Sequence, residues 1–277
     1  MSAATLPQDS GAPEGARGPA PRLVALDIDG TVLGPEETVA PAVLDAVRRA
    51  RAAGAHVVLA TGRALLGAQP VAAELELDSG WLVTSNGAVT STINPFEVVD
   101  AVTFDAGPAV RLLLEHLPVA LVAVERLGEG HYVTGTFPPG ELTGKQTVVP
   151  LEQLVGRPVT RVVLRCPEHE PRDLLDLIER IGLHDVSYAV GYTAWLDIAP
   201  RGVTKASALE RVRERLGVRR EETLAVGDGR NDLEMLRWAA YGVAMGQAVP
   251  EVQDAADLVT GSVDDDGLAT ALGWWFH

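Results

Sequence analysis

Leu23-Val24-Ala25-Leu26-Asp27-Ile28-Asp29-Gly30-Thr31 is the stretch on which the reading of this chain turns. Four consecutive apolar residues that end in acids and a Gly-Thr turn read as a buried strand carrying polar groups at its C-terminal end. In an extended strand alternate side chains share a face, so Asp27 and Asp29 point together. Two carboxylates so placed repel each other, and a cation or a proton must be present for them to coexist. A surface turn is the competing reading, because Asp-Gly is a common turn pair.

The flanking sequence favours the strand. A helical pattern over about 40–53 stops at Gly54. A second apolar run, His56 to Ala60, ends at Thr61-Gly62-Arg63, and a helical stretch follows to about Glu76. A third run, Trp81 to Thr84, ends at Ser85-Asn86-Gly87. Strand, helix, strand, helix, strand implies parallel units with right-handed crossovers. The alternation then breaks. Short strand-like runs and isolated helices, including Val159 to Cys166 and Pro171 to Ile181, mark an α+β unit inserted over about 87–190. From Trp195 the alternation returns. A strand at 195–199 and a helix at 204–216 lead to the very apolar Thr223 to Val226, which ends at Gly227-Asp228-Gly229. The expected fold is α/β, a doubly wound and mostly parallel sheet built from 22–86 and 191–277, with the α+β unit between them. Residues 1–21, rich in Ala, Gly and Pro, read as a disordered leader without the apolar core of a secretory signal.

Composition removes several functions. There are 38 acids against 23 bases, a formal charge of −15, so the chain has no general pull toward a nucleic-acid backbone. It has no Lys/Arg run suited to an anionic membrane and no apolar run near the ~18 residues of a membrane span. The single cysteine, Cys166, lies in a strand pattern, cannot pair internally, and suits a reducing compartment. A cytoplasmic protein without nucleic-acid or membrane partners is expected.

Four polar clusters fall at the C-terminal ends of strands, where open α/β sheets bind ligands. The first is Asp27 and Asp29. The second is Thr61-Gly62, where a hydroxyl and a glycine before a helix N-terminus suit a phosphate, or else Thr61 caps the helix. The third is Lys205, a cation near a helix start that opposes the helix dipole and so suggests an anionic partner. The fourth is Gly227-Asp228-Gly229-Arg230-Asn231-Asp232, whose oxygen donors suit Mg²⁺. Four ionised acids (Asp27, Asp29, Asp228 and Asp232) against one Lys205 would repel a phosphate dianion, and a bound Mg²⁺ removes that obstacle.

Taken together, Asp-x-Asp-Gly-Thr, Ala-Thr-Gly-Arg, the lysine and Gly-Asp-Gly-x-Asn-Asp resemble the haloacid dehalogenase (HAD) superfamily. Only 30 residues separate Thr31 from Thr61, whereas 144 separate Thr61 from Lys205, so the insert resembles a C2 cap of the C2B type. Ser85-Asn86-Gly87-Ala88 and the run Leu196 to Lys205 resemble the Cof-type members of subfamily IIB, although their usual Lys-Gly is here Lys205-Ala206. The resemblance implies a Mg²⁺-dependent phosphatase of small phosphorylated metabolites, sugar phosphate-like monoesters. It makes Asp27 the nucleophile that becomes an aspartyl phosphate, and Asp29 the general acid and base. Thr61, Gly62, Lys205 and Asn231 would hold the phosphoryl group. The metal would be held by Asp27, the Asp29 backbone carbonyl and Asp228, with Asp232 acting through water or on Lys205. Asn86 is divided between substrate contact and a turn or hinge, and Arg63 between substrate and the cap. Arg126, His131, Tyr132 and Arg165 are cap residues able to face substrate, though structural roles suit them as well.

Rival readings keep parts of this pattern. A hexose phosphomutase would share all four motifs, a receiver domain lacks the acid at Asp29, and a non-catalytic scaffold has no need of an intact set. Phosphate release separates them.

Overall fold

A computed structural model of the chain describes residues 13–16, 18–183, 186–190 and 195–277. The chain runs through β1 (Leu23–Leu26), α1 (Pro41–Ala52), β2 (His56–Ala60), α2 (Leu65–Glu74) and β3 (Trp81–Thr84). It continues through β4 (Val89–Thr92), β5 (Glu97–Ala101), α3 (Gly107–His116), β6 (Leu121–Arg126), β7 (Gly130–Val133) and β8 (Lys145–Val148). Next come α4 (Leu151–Val155), β9 (Val162–Arg165), α5 (Pro171–Ile181), β10 (Val186–Val190) and β11 (Trp195–Pro200). The last elements are α6 (Lys205–Leu216), β12 (Thr223–Gly227), α7 (Leu233–Trp238), β13 (Tyr241–Ala244), α8 (Pro250–Gln253), β14 (Leu258–Val259) and α9 (Gly267–Gly273).

Among the described residues the strands form two sheets. The larger has the order β14-β13-β12-β1-β2-β3-β4-β5. It is parallel from β14 to β3, and β4 and β5 add antiparallel at one edge. β1 shows why the sheet is covered on both faces. Its side chains alternate, so Val24 and Leu26 join a core with Val43, Ala46, Val47 and Ala50 of α1 and Leu268, Ala271 and Leu272 of α9. Leu23 and Ala25 join the opposite core with Ala208, Leu209 and Val212 of α6 and Met235 of α7. The four buried α1 residues lie three and four apart, the stripe an amphipathic helix presents to a sheet. Each such Val or Leu contributes roughly 1.5–3 kcal/mol on burial. The Trp274, Trp275 and Phe276 tail packs into the first of these cores.

The second sheet has the order β10-β11-β9-β6-β7-β8. One of its faces, with Val122, Val124, Val162 and Leu164, packs on Val110 and Leu113 of α3, Leu154 of α4 and Leu174 and Ile178 of α5. The other face carries Ala123, Val133 and Val163 beside Phe137 and Trp195.

Sheet membership moves both edges of the inserted unit relative to the 87–190 expected from the sequence. β4 and β5 extend the larger sheet, so its first segment runs on to Ala101 instead of ending at 86. β11 pairs antiparallel with β9 and β10, so the strand from Trp195 belongs to the smaller sheet and not to the returning α/β pattern. Backbone pairing is the cause in both cases, because antiparallel hairpins join whichever sheet edge lies next to them. Residues 184–185 and 191–194 of that stretch lie outside the described residues. So do 1–12 and 17 of the expected leader, while residues 13–16 lead into the fold and Ala16 is fully buried in a core. No helix among the described residues is long and apolar enough to cross a membrane.

Candidate active site

The four sequence clusters meet at the C-terminal end of the parallel strands. Asp27 follows β1, and its N–H donates to Val226 O of the neighbouring β12 at 3.0 Å. Lys205 opens α6, whose start is fixed by a capping box. The Thr204 Oγ1 accepts from Ser207 N–H at 3.2 Å, and Ser207 Oγ accepts from Thr204 N–H at 3.0 Å. Gly87 allows the close approach of this helix start, since a Cβ there would stand 2.1 Å from Thr204 O. The Lys205 ammonium is fully buried and donates to Asp27 Oδ1 and to Asp232 Oδ1, each at 2.6 Å. Asp232 Oδ2 accepts from the N–H groups of Asp228 at 3.0 Å and Gly229 at 2.9 Å, which tightens its own loop.

Asp27, Asp228 and Asp232 are buried, and one carboxylate oxygen from each lies within 4.8 Å of the other two. Gly30 makes room for this group, because a Cβ at its φ of 80° would stand 2.2 Å from Asp228 Oδ2. Burial raises the Asp27 carboxyl well above its ordinary range, reinforced by Asp232 and Asp228 and opposed by Lys205. Burial and repulsion from Asp232 push Asp228 up to about 6. Burial alone would lower the Lys205 ammonium, but Asp232 and Asp27 outweigh it and hold it above its usual value. When all three buried acids are ionised, one ammonium leaves two negative charges uncompensated. A hard, oxygen-seeking divalent cation fits that donor set.

Asp29 shares the strand end but not the cluster. Its side chain is 57% exposed and is gripped by Arg63, whose Nε stands 3.0 Å from both carboxylate oxygens. Arg63 also stands 3.6 Å from Glu37, so both of these partners lie in the segment before α1 and not in the inserted unit. Asn86 sits in a turn and touches Asn231. It takes a left-handed conformation (φ 54°) within the turn Ser85–Gly87, and its Oδ1 accepts from Asn231 Nδ2 at 3.0 Å. A cavity of about 770 Å³ opens above these groups, lined by Asp27, Asp29, Gly62, Asn86, Asp228 and Asn231 from the larger unit. Lys205 lines a second, adjoining cavity of about 330 Å³.

The helix after Thr61-Gly62 departs from expectation. Thr61 does not cap it, since the cap position is Ala64. The Thr61 Oγ1 instead accepts from Arg63 N–H at 3.0 Å in a local turn. Glu125 of β6 reaches the start of this helix. The Glu125 Oε1 accepts from Leu65 N–H at 3.0 Å, and Oε2 accepts from Ser85 Oγ at 2.5 Å and Thr160 Oγ1 at 3.2 Å. Glu125 is buried and ties the inserted unit to the larger one. A lone Glu in an apolar strand gave no sign of this partner in the sequence.

The same sheet face supplies the far wall of the cavity. His131, Arg161, Trp195 and Asp197 line it, together with Glu141 and Thr143. Of the other cap residues considered, Arg126 stacks over the Tyr132 ring at 4.9 Å and Arg165 pairs with Glu141 at 2.6 Å. The Cys166 thiol is buried, which pushes it up to about 11 and suits packing, not chemistry.

A family profile described as haloacid dehalogenase-like hydrolase matches residues 24–272, and the chain belongs to that family. The Cof-type, subclass IIB placement is met as well. The chain is 26% identical to the HAD subclass IIB sugar phosphatase BT4131, with a TM-score of 0.77 over 91% of this chain and 97% of that one. It is 30% identical to the pyridoxal phosphate phosphatase of Escherichia coli strain K12, over 90% of this chain and 96% of the relative. It is 28% identical to the HMP-PP phosphatase of Serratia proteamaculans, over 92% of this chain and 96% of the relative. The protein is therefore an enzyme, a hydrolase of the HAD superfamily.

Proposed function

We propose that the protein is a Mg²⁺-dependent phosphatase of small phosphorylated metabolites that works through a phosphorylated Asp27. The observation that carries this reading is the single ammonium of Lys205 bonded at 2.6 Å to both Asp27 and Asp232, with Asp228 beside them at the floor of a cavity. Lys205 takes up Asp27 Oδ1, which leaves Oδ2 to attack phosphorus. The P–O bond to the alcohol breaks as the new P–O bond to Asp27 forms, and Asp29 gives a proton to the departing oxygen. Asp29 then takes a proton from water, whose oxygen attacks phosphorus. The bond to Asp27 breaks and inorganic phosphate leaves. Arg63 orients Asp29 between these tasks and releases it for proton transfer. Asn231, Gly62 and the Lys205 ammonium face the phosphoryl oxygens, and Thr61 acts by fixing the turn below Gly62.

Asp27, Asp228 and the backbone carbonyl of Asp29 would hold the Mg²⁺, and Asp232 positions Lys205 beside it. When bound, the metal neutralises charge on the phosphoryl oxygens. The donor set and the two uncompensated charges support this choice. The names of the relatives support small phosphorylated substrates.

Phosphate release from a panel of phosphorylated metabolites, with Mg²⁺ and with EDTA, tests the proposal. Release is expected with Mg²⁺ only, and the Asp27→Asn variant is expected to lose it entirely. Undiminished release by Asp27→Asn would rule out the phosphoaspartate route. Phosphate transfer between positions of a sugar without release would indicate a mutase.

A further inference from the structure

The turn Ser85–Gly87 stands at the centre of the phosphoryl site. A Cβ on Gly62 would lie 3.2 Å from Asn86 Oδ1 and 3.5 Å from Asn231 Nδ2, so the Gly62 backbone packs on that amide pair. On its other side the turn meets the start of α6. There a Cβ on Gly87 would lie 2.1 Å from Thr204 O and 3.2 Å from the Lys205 backbone nitrogen. Gly62, Asn231 and Lys205, the groups assigned to the phosphoryl oxygens, thus take their spacing from one three-residue turn.

That turn is strained. Ser85, Asn86 and Gly87 have φ of 52°, 54° and 98°. Glycine adopts such angles freely and asparagine tolerates them, but serine does not. A left-handed residue of this kind persists where its surroundings hold it. Ser85 N–H donates to Arg63 O at 2.9 Å, and Asn86 N–H donates to Thr61 O at 3.1 Å. A third restraint comes from the inserted unit. Ser85 is fully buried, and its Oγ donates to Glu125 Oε2 at 2.5 Å. The other oxygen of the same carboxylate accepts from Leu65 N–H at 3.0 Å. Glu125 therefore clamps the strained turn and the 61–65 segment against each other. Thr160 Oγ1, 3.2 Å from Oε2, steadies the carboxylate from within the inserted unit. Three donors converge on it, and a carboxylate, which only accepts, satisfies all of them.

We propose that Glu125 is a positioning residue for phosphoryl binding. From the inserted unit it holds the turn that spaces Gly62, Asn231 and Lys205, so the phosphoryl site is incomplete without that unit. This role rests on the phosphatase reading and concerns the phosphoryl group alone. It is blind to the leaving group, because the clamp acts on groups that meet only the phosphoryl oxygens.

Inorganic phosphate is the probe, titrated by calorimetry in saturating Mg²⁺. Turnover of p-nitrophenyl phosphate and ribose 5-phosphate is measured beside it. Ser85→Ala keeps the strained backbone and removes the hydroxyl. It is expected to weaken phosphate binding about tenfold, the scale of a lost hydrogen bond to a charged group. It is also expected to lower kcat/KM for both esters by the same factor. Ser85→Gly removes the hydroxyl and the strain together, and is expected to recover most of the phosphate affinity. Glu125→Gln is expected to follow Ser85→Ala. A merely structural tie would lower the denaturation midpoint and leave phosphate affinity unchanged in Ser85→Ala and Glu125→Gln, and that result overturns the proposal. So does a Ser85→Gly variant that binds phosphate as weakly as Ser85→Ala, or a changed ratio between the two esters. Absence of turnover in the wild type would strike the phosphatase reading instead, and the phosphate titrations would still decide the role of Glu125.

Discussion

At the scale of single residues, the site is held by one buried cation. Lys205 lies between Asp27 and Asp232 and is fully buried, so its removal strands two carboxylates with no ammonium. Breaking a buried pair in this way costs about 3–5 kcal/mol, far more than a surface ion pair contributes. Lys205→Met is therefore expected to lower the urea midpoint strongly when measured in EDTA, and to lower it less in saturating Mg²⁺, which restores part of the missing charge. An equal loss in both conditions would mean that no cation occupies the acidic cluster. Asp27, Lys205, Asp228 and Asp232 were legible from their residue types at strand ends and a helix start, whereas Asp29, expected to point with Asp27, is exposed, paired with Arg63 and outside the buried cluster because the strand ends at Leu26. Glu125 was not legible. Its three hydrogen-bond donors, Leu65, Ser85 and Thr160, lie 60, 40 and 35 residues away, and no local pattern announces them. For the same reason the sequence did not show that a carboxylate from a distant strand accepts from the first N–H of the helix after Thr61-Gly62.

At the scale of elements, long-range pairing decides what local pattern leaves open. β4 and β11 have the side-chain alternation of strands in either sheet, and only their neighbours assign them. Two carboxylates show how elements are then locked together. Glu125 caps α2 from the opposite sheet. Glu125→Gln is expected to cost about 1.5–3 kcal/mol, because an amide cannot accept from all three donors and brings an unwanted donor of its own. Denaturation of Glu125→Gln, Ser85→Ala and the double variant checks this, with a double loss smaller than the sum of the singles. Glu210 ties α6 to α7 by accepting from Trp238 Nε1 at 2.8 Å, and it also accepts from Arg213 Nη2 at 2.6 Å. The Arg213 fork, aided by Trp238 and opposed by burial, holds Glu210 down to about 2. Its folded pKa lies below the unfolded value of roughly 4.3, so its stabilisation is complete above that pH and is lost as pH falls through about 2. The Glu210 side chain is 39% exposed, and solvent screening reduces the effect to about 1 kcal/mol. Glu210→Gln is expected to lower stability by that amount at pH 7, and the gap to wild type should narrow steadily below pH ~4.3.

At the scale of the whole molecule, the two sheets face each other across a cavity of about 770 Å³. Asp27, Asp29 and Asp228 line one wall, and His131, Arg161 and Asp197 of the inserted unit line the other. Glu125 joins the two units beside it through two hydrogen bonds, from Leu65 N–H and Ser85 Oγ, so the inserted unit lies over the site as a roof. A roof that excluded bulk water from the phosphoryl group would strengthen every electrostatic contact beneath it. It also limits what can reach Asp27. A metabolite of a dozen or so heavy atoms fits, whereas a phosphorylated side chain on a folded protein would have to displace the roof and break the Glu125 contacts. Cleavage of a phosphoserine in a folded protein is expected to be at least 100-fold slower in kcat/KM than cleavage of a small sugar phosphate. Glu125→Gln, by loosening the roof, should narrow that gap from the slow side, raising the phosphoprotein rate relative to the small ester. Equal rates on both substrates in the wild type would mean that the roof does not select by size.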